Sequence, residues 1–348
     1  MTSTASAPLT EITAARYEGA IPDGLLDHIE SHVAEFGAPC ERHDDGITVT
    51  YPMSTVRLWV GEDWMDVEVA APTTLFAYQM RESVAYLLDH VFPDSASMTW
   101  HGAEVTQKTP PNFHFATVRG VTRLSPNFLR LEMACDGVAM LLEGGMHFSL
   151  LLPPEDRPAV WPRIGEKGRT VWPEGEDELH RAAYTFVTLD PEAGTFTFDV
   201  YEHEGGRTTE WARAAQSGTR VAVMGPGGGR QPEGDHIVLA GDETALPAIR
   251  SILAFSAPDR IGTVLVELGD EADICDLPRP QGVSVTWLIR SKGQDLWQAL
   301  SALPPRPTEG LYVWVATEQK VVRRAKTHFV DAWKLPKSQA YFSAYWIA

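Results

Sequence analysis

The sequence of 348 residues is 44% apolar and 22% charged, a globular composition with room for two or three domains. Its 47 acidic and 29 basic residues leave a net charge of −18, which argues against wrapping nucleic acid or lying on an anionic membrane. Cys40, Cys135 and Cys275 form no CxxC pair, so neither a zinc site nor a disulfide framework is expected, and a reducing compartment suits them. The N-terminus has no basic start followed by an apolar core, and no stretch is apolar for the length of a membrane helix. A soluble cytoplasmic protein is expected.

Residues 1 to about 12 are small and polar and read as a frayed tail. Leu25, Leu26, Ile29, Val33 and Phe36 then recur at helical spacing, with Gly37 as a stop. Three short runs rich in β-branched and aromatic residues follow, 47–51, 56–60 and 65–70. Pro52, Gly61 and Asp63 separate them, as turns separate the strands of a meander. A second helix starts at Pro72 and carries Leu75, Tyr78, Val84, Leu88 and Val91. The reading for residues 1–105 is a small α+β domain. His28 and His32 stand four apart on the first helix, but nothing nearby offers a third metal ligand, so no metal is expected.

Lys108 to Pro111 reads as a linker. From there to about 232, six apolar or alternating runs (115–119, 128–133, 147–152, 183–189, 195–201 and 220–224) lie between Gly, Pro, Asp and Asn. Their spacing suggests an antiparallel β-barrel over residues 110–232. A proline-rich insert from Glu155 to Leu179, with Arg163, Lys167 and Arg169, is expected to lie across the mouth of a site. Residues 235–348 change character. Strands at 237–240, 263–268, 284–288 and 311–316 alternate with helical patterns at 295–303 and 321–333, which argues for a doubly wound α/β domain. The predicted architecture is therefore multidomain: α+β, then antiparallel β-barrel, then doubly wound α/β.

Two stretches carry the chemistry. In the first, the apolar run Ile237–Ala240 ends at Gly241. Asp242, Glu243 and Thr244 then open a helix with Leu246, Ile249, Ile252 and Leu253 on one face. A strand, a tight turn and a helix start present backbone N–H groups to a phosphate. In the second, Tyr184 and Thr185 on a barrel strand are suited to stacking on a planar ring and bonding its edge. The turn from His203 to Ala212 sets Gly206 and Thr209 where a pyrophosphate can approach the backbone. No GxGxxG fingerprint is present, and Gly225–Gly229 lacks the GK[ST] of a Walker loop. A barrel with such a strand, followed by a nucleotide domain, is the layout of flavin reductases fed by a nicotinamide.

With these pieces in order, the sequence resembles the siderophore-interacting protein family of flavin-dependent ferric-siderophore reductases. The matching residues are 147–153, Tyr184-Thr185, 203–212, 225–227, 241–248, 287–290, 314–318 and Tyr345-Trp346, spread across about 113–348. Residues 1–105 resemble a small accessory domain that can accompany such reductases. The resemblance implies FAD as cofactor, NAD(P)H as electron donor and a ferric siderophore as substrate, with Fe(II) released. It implies cofactor-binding roles for Arg181, Tyr184, Thr185, His203, Gly206, Thr208, Thr209, Asp242, Thr244, Ala245 and Trp346. Arg290, just past a strand end, is the candidate for a 2′-phosphate and favours NADPH. Arg163, Lys167 and Arg169 are the candidates for holding an anionic siderophore.

The chain departs from the family's patterns in three places. In Arg-x-Tyr-Thr-x-Arg, Arg181 stands one residue too far upstream and the second arginine position is Val187. The glycine of Trp-Val-Ala-Gly-Glu is Thr317, and the Gly-Tyr-Trp-Arg end is Ala344-Tyr345-Trp346-Ile347. Two other readings stay open: a flavin reductase for another acceptor, and a siderophore- or ligand-binding protein on the same scaffold that has lost tight flavin binding.

Overall fold

Alternation of apolar and polar residues from Gly46 to Ala71 folds as the expected meander, and the computed structural model shows what surrounds it. It describes residues 8–35, 37–102 and 104–348, in two units. One runs up to Phe113 and includes Pro154–Leu179. The other is His114–Pro153 with His180–Ala348. The first unit begins with β1 (Glu11–Glu18), α1 (Leu25–Glu35), β2 (Cys40–His43), β3 (Gly46–Tyr51), β4 (Ser54–Val60), β5 (Trp64–Ala71), α2 (Thr74–Val91) and β6 (Thr99–His101). The strands form one antiparallel sheet in the order β2-β3-β4-β5-β1-β6. Leu25, Ile29 and Val33 of α1 and Leu88 of α2 pack on Met65, Val67 and Val69 of β5, each contributing about 1.5–3 kcal/mol by leaving water. Strand β1 falls partly in the stretch read as a tail. Its buried positions are Thr13 and Ala15, too small and polar to signal a strand, and backbone pairing from Glu11↔Ala71 to Glu18↔Trp64 holds it. Residues 1–7 of that tail, and Phe36 of the first helical face, lie outside the described residues.

The second unit opens with β7 (Phe113–Ser125), β8 (Phe128–Cys135), α3 (Val138–Leu141) and β9 (His147–Leu152). The insert with β10 (Arg163–Ile164) and β11 (Thr170–Val171) interrupts it. It resumes with β12 (His180–Thr185), β13 (Thr188–Asp190), β14 (Thr195–Tyr201), α4 (Arg207–Ala214) and β15 (Arg220–Gly227). Barrel strands run in the order β12-β9-β15-β7-β8-β14-β13. The run 183–189, read as one strand, is two. Phe186 N–H donates to Met146 O while Val187 N–H donates to Thr197 O, so the chain changes partner at a corner. Phe198 of β14 meets both Tyr184 and Phe148 at 5.2 Å, which brings the two ends of the sheet together around an aromatic core. The insert packs in the first unit, where two of its three named cations have partners. Arg169 donates to both oxygens of Asp89 at 2.9 and 2.5 Å, Lys167 Nζ donates to Ala96 O at 3.3 Å, and Tyr78 and Thr170 share a 2.7 Å hydroxyl bond.

The chain ends in β16 (His236–Gly241), α5 (Leu246–Ala254), β17 (Ile261–Leu268), β18 (Gly282–Ile289), α6 (Leu296–Ser301), β19 (Leu311–Glu318), α7 (Gln319–Lys326) and β20 (Ala340–Trp346). All five strands are parallel, in the order β18-β17-β16-β19-β20. Ile237 and Leu239 face the α5 side, Val238 and Ala240 the α6 and α7 side, as double winding requires. The expected helix 321–333 starts two residues early as α7 and then widens into a π-helical turn, Thr327–Ala332. Strand β20 has no counterpart in the sequence reading. Strand order reverses at β16, so its C-terminal end and that of β19 form the switch point where such sheets take ligands. Asp273 of this domain accepts from Ser125 Oγ (2.6 Å) and from Asn127 N and Nδ2 (3.1 and 2.9 Å), tying the β7–β8 turn of the barrel to the sheet. Among the described residues no helix is long and apolar enough to cross a membrane.

Candidate functional site

A cavity of about 610 Å³ lies at the switch point, between barrel strands and the ends of the parallel sheet. Ala182, Ala183, Tyr184 and Thr185 of β12 and His147 of β9 form its barrel wall. Glu243, Thr244, Pro247 and Tyr345 form the facing wall. Small, flat and apolar surfaces with a few polar groups suit an aromatic cofactor of this size.

Tyr184 lines the cavity with its ring against Phe198, and burial pushes its hydroxyl pKa up while a hydrogen bond to Thr208 pulls it back. Thr185 is buried, and its Oγ1 lies 3.0 Å from His147 Nδ1. The other ring nitrogen, Nε2, lies 3.2 Å from the Tyr345 hydroxyl. Side chains alternate along a strand, so Arg181 and Ala182 point to opposite faces. Ala182 lines the cavity and Arg181, exposed, does not. Arg181, expected at the flavin, is thus outside the cavity lining, although Ala183 on its own face is part of it.

At the start of α4, His203 lines the cavity. Gly206 leaves room there, since a Cβ would fall 2.6 Å from His203 Cε1 and 2.9 Å from Thr209 Oγ1 and push the imidazole aside. Thr208 Oγ1 bonds His180 Nε2 at 3.0 Å, and Thr209 Oγ1 accepts from His203 N at 3.3 Å. Both threonines are buried, with Thr208 bonded to β12 and Thr209 to the turn, so their hydroxyls already have partners where a pyrophosphate was expected to bind. Backbone N–H groups in the first turn of α4 remain for an anion.

On the facing wall, Asp242 is buried inside the turn. Its Oδ1 accepts from Thr244 N (2.9 Å) and Thr244 Oγ1 (2.5 Å), and its Oδ2 accepts from Thr317 Oγ1 and Trp346 Nε1, both at 2.7 Å. A carboxylate with four donors is saturated, so Asp242 braces the site instead of facing a nucleotide. Thr317, which stands where the family pattern has glycine, is buried and does not line the cavity. Ala245 is buried at the start of α5, where its Cβ lies 2.4 Å from the place a Cβ on Gly241 would take. Arg290 is held between Glu243 and Glu267, the latter at 3.0 Å, and Glu243 also accepts from Gly269 N at 2.6 Å. Its charge is thus matched within the protein, which corrects its reading as a free 2′-phosphate ligand.

The cavity fits the ring of a flavin. At its phosphate end, no lining residue among those described is a lysine or arginine. Ala182 and Val187 stand where the motif Arg-x-Tyr-Thr-x-Arg has arginines, so the anion is left to backbone N–H groups of α4 and to His203. Sequence reasoning missed the partnership of His147, Thr185 and Tyr345, whose members lie 38 and 198 residues apart. Its signal was present only as the separate stretches 147–153 and 345–346.

Residues 117–230 match the siderophore-interacting FAD-binding domain and residues 234–348 the siderophore-interacting protein family. The mycobactin import ATP-binding/permease protein IrtA of Mycolicibacterium smegmatis is 31% identical over 67% of this chain, which spans 26% of IrtA. Ferric vibriobactin reductase ViuB of Vibrio cholerae is 28% identical over 64% of the chain and 85% of its own length. For the NADPH-dependent ferric-chelate reductase of Escherichia coli the figures are 28%, 68% and 93%. The crystal structure of a siderophore utilization protein from T. fusca superposes with a TM-score of 0.56 at 27% identity, covering 68% of this chain and 92% of that one. With family matches over residues 117–230 and 234–348, which together take in the barrel and the α/β domain, the chain belongs to the siderophore-interacting protein family and carries its FAD-binding domain.

Proposed function

We propose that the chain is a flavin-dependent oxidoreductase that passes electrons from NAD(P)H through FAD to a ferric siderophore. The observation that carries this reading is the single cavity walled by Tyr184 and Thr185 on one side and by the switch point of a parallel sheet on the other. Bound FAD supplies the bridge between a two-electron donor and a one-electron acceptor. The protein's part is to bind and orient. Tyr184 forms a wall for the ring, Thr185 offers a hydroxyl to its edge, and His203 with the first N–H groups of α4 meets the phosphates. The turn at Glu243 and Thr244, past β16, lies where a nicotinamide nucleotide enters such sheets.

Ferric iron is substrate here. Reduction weakens its hold on hard oxygen ligands, and Fe(II) leaves the chelate. NADPH is the proposed donor, as named for the Escherichia coli relative. A 2′-phosphate at Arg290 would meet a guanidinium already paired with Glu243 and Glu267 and would use the N–H groups they leave. The proposed setting is the cytoplasm, whose reducing conditions suit three unpaired cysteines.

Purified protein is expected to be yellow, and anaerobic NADPH to bleach it. Adding a ferric siderophore with an Fe(II) trap should then restore the colour and develop the trap signal together. Colourless protein that takes up no added FAD overturns the reductase reading and favours the ligand-binding one.

A further inference from the structure

His147 opens β9 at the cavity, and its imidazole bridges two other strands there. Nδ1 meets the Thr185 hydroxyl of β12 at 3.0 Å, and Nε2 meets the Tyr345 hydroxyl of β20 at 3.2 Å. All three residues line the cavity. Room for the ring depends on glycine. Gly229 has φ +58°, and a Cβ there would fall 2.8 Å from His147 Nε2.

Burial pushes the His147 pKa down to about 4, so the ring is neutral near pH 7 and carries one N–H and one lone pair. The backbone carbonyl of Tyr184 also accepts from the ring, and a carbonyl can only accept. Tyr184 directly precedes Thr185, the partner of Nδ1, which assigns the proton to Nδ1. Nε2 is then an acceptor. The Tyr345 hydroxyl, whose pKa burial pushes far up, stays protonated. It also bonds the Tyr341 hydroxyl, and with Nε2 bare at 3.2 Å its proton is directed to the imidazole. Nδ1–H is then shared between the Tyr184 carbonyl and Thr185 Oγ1, and the Thr185 proton is left to point into the cavity.

We propose that His147 is the positioning residue of this cavity, a neutral imidazole pinned at Nε2 by Tyr345 that turns the Thr185 hydroxyl proton toward the space a flavin ring fills. The proposal rests on the flavin reading of the site, but it concerns a proton on this chain and is readable without turnover. Long-range ¹H–¹⁵N spectra of the histidine-labelled full chain report the tautomer directly. Without FAD, His147 should show a single Nδ1–H tautomer at pH 7, and Tyr345→Phe should mix the two tautomers.

On the FAD-loaded chain, His147→Leu should weaken FAD binding about tenfold, the size of one lost hydrogen bond, and shift the visible absorption of the flavin. His147→Asn keeps an N–H toward Thr185 and should recover both to within about threefold. An Nε2–H tautomer, or an imidazolium at pH 7, overturns the proposal. If wild-type takes up FAD and His147→Leu matches it in affinity and spectrum, the proposal alone fails. If wild-type takes up no FAD, the flavin reading fails, and the tautomer seen in the unloaded chain still decides whether Tyr345 sets the proton on His147.

Discussion

The two walls of the cavity hold their polar groups by opposite means. On the α/β wall one buried carboxylate, Asp242, gathers donors from its own turn, from β19 and from β20. On the barrel wall an imidazole bonds one hydroxyl, Thr185, and reaches across to the Tyr345 hydroxyl of the facing wall, with no charge among them. A charged acceptor binds each donor strongly, and its removal leaves all of them unpaired. A neutral chain is weaker per bond, but the place of one proton sets its direction. Both walls depart from the family pattern, with different results. Thr317 brings a hydroxyl that Asp242 accepts, so the departure is matched by a partner. Ala182 brings nothing in place of a guanidinium. A departure from a motif is therefore read from what the new side chain touches, not from what the old one did.

Removing the charged acceptor is the strongest way to break the contrast. Asp242→Ala leaves Thr317, Thr244 and Trp346 without their acceptor and should cost about 4 kcal/mol of stability, read from urea unfolding of the full chain. A loss below about 1 kcal/mol would mean that water replaces the carboxylate, and the two walls would then differ in name only.

The neutral wall should show itself through pH. His147 has its pKa lowered from the ordinary 6.5 to about 4 in the folded chain. Between those values the unfolded chain takes up the proton and the folded chain resists it. His147 thus contributes stability in full above pH 6.5, and that contribution is lost as the pH falls toward 4. The whole difference is on the order of 3 kcal/mol, of which about 2 kcal/mol falls between pH 7 and pH 5. Unfolding curves of wild-type and His147→Asn compared at pH 7 and pH 5 isolate it, since other titrating groups are common to both. Parallel pH dependence in the two proteins would place a charged ring in the folded state.

Much of this was legible in the sequence, and the parts that were not share a cause. Strands His147–Leu152 and Thr195–Tyr201 are found as expected because their apolar residues carry the signal themselves. Strands β1 and β20 were missed because pairing with neighbours defines them. Thr13 and Ala15 bury little, and β20 is held beside β19. The turn at Gly241–Thr244 was recognised as part of the site, yet the direction of the Asp242 carboxylate depends on Thr317 and Trp346, 75 and 104 residues away. Arg290 was read from its place after a strand, and only packing reveals Glu243 and Glu267 beside it.

Restoring charge to the barrel wall sharpens the contrast from the other side. Ala182→Arg sets a guanidinium on the cavity face of β12, and titration with FAD should show binding tightened about tenfold by charge-assisted hydrogen bonds. Arg181→Ala, outside the cavity lining, should change FAD binding less than about threefold. The reverse ranking would mean that Arg181 swings to the phosphates and that Ala182 is no loss.

The smallest expected effect falls on the residue that most separates this chain from the family pattern. Thr317→Gly restores the family's glycine and removes one of the four donors to Asp242, while the other three keep the carboxylate paired. The cost should be about 1 kcal/mol, from one hydrogen bond and the added freedom of glycine in a strand. Thr317→Ser keeps the hydroxyl and should recover most of it. FAD binding should be unchanged in both, because Thr317 lies behind the cavity wall. Should Thr317→Gly tighten FAD binding while leaving stability alone, the threonine acts by crowding the cofactor. The Asp242 cluster would then owe nothing to this departure, and the difference between the two walls would rest on Trp346 and the turn itself.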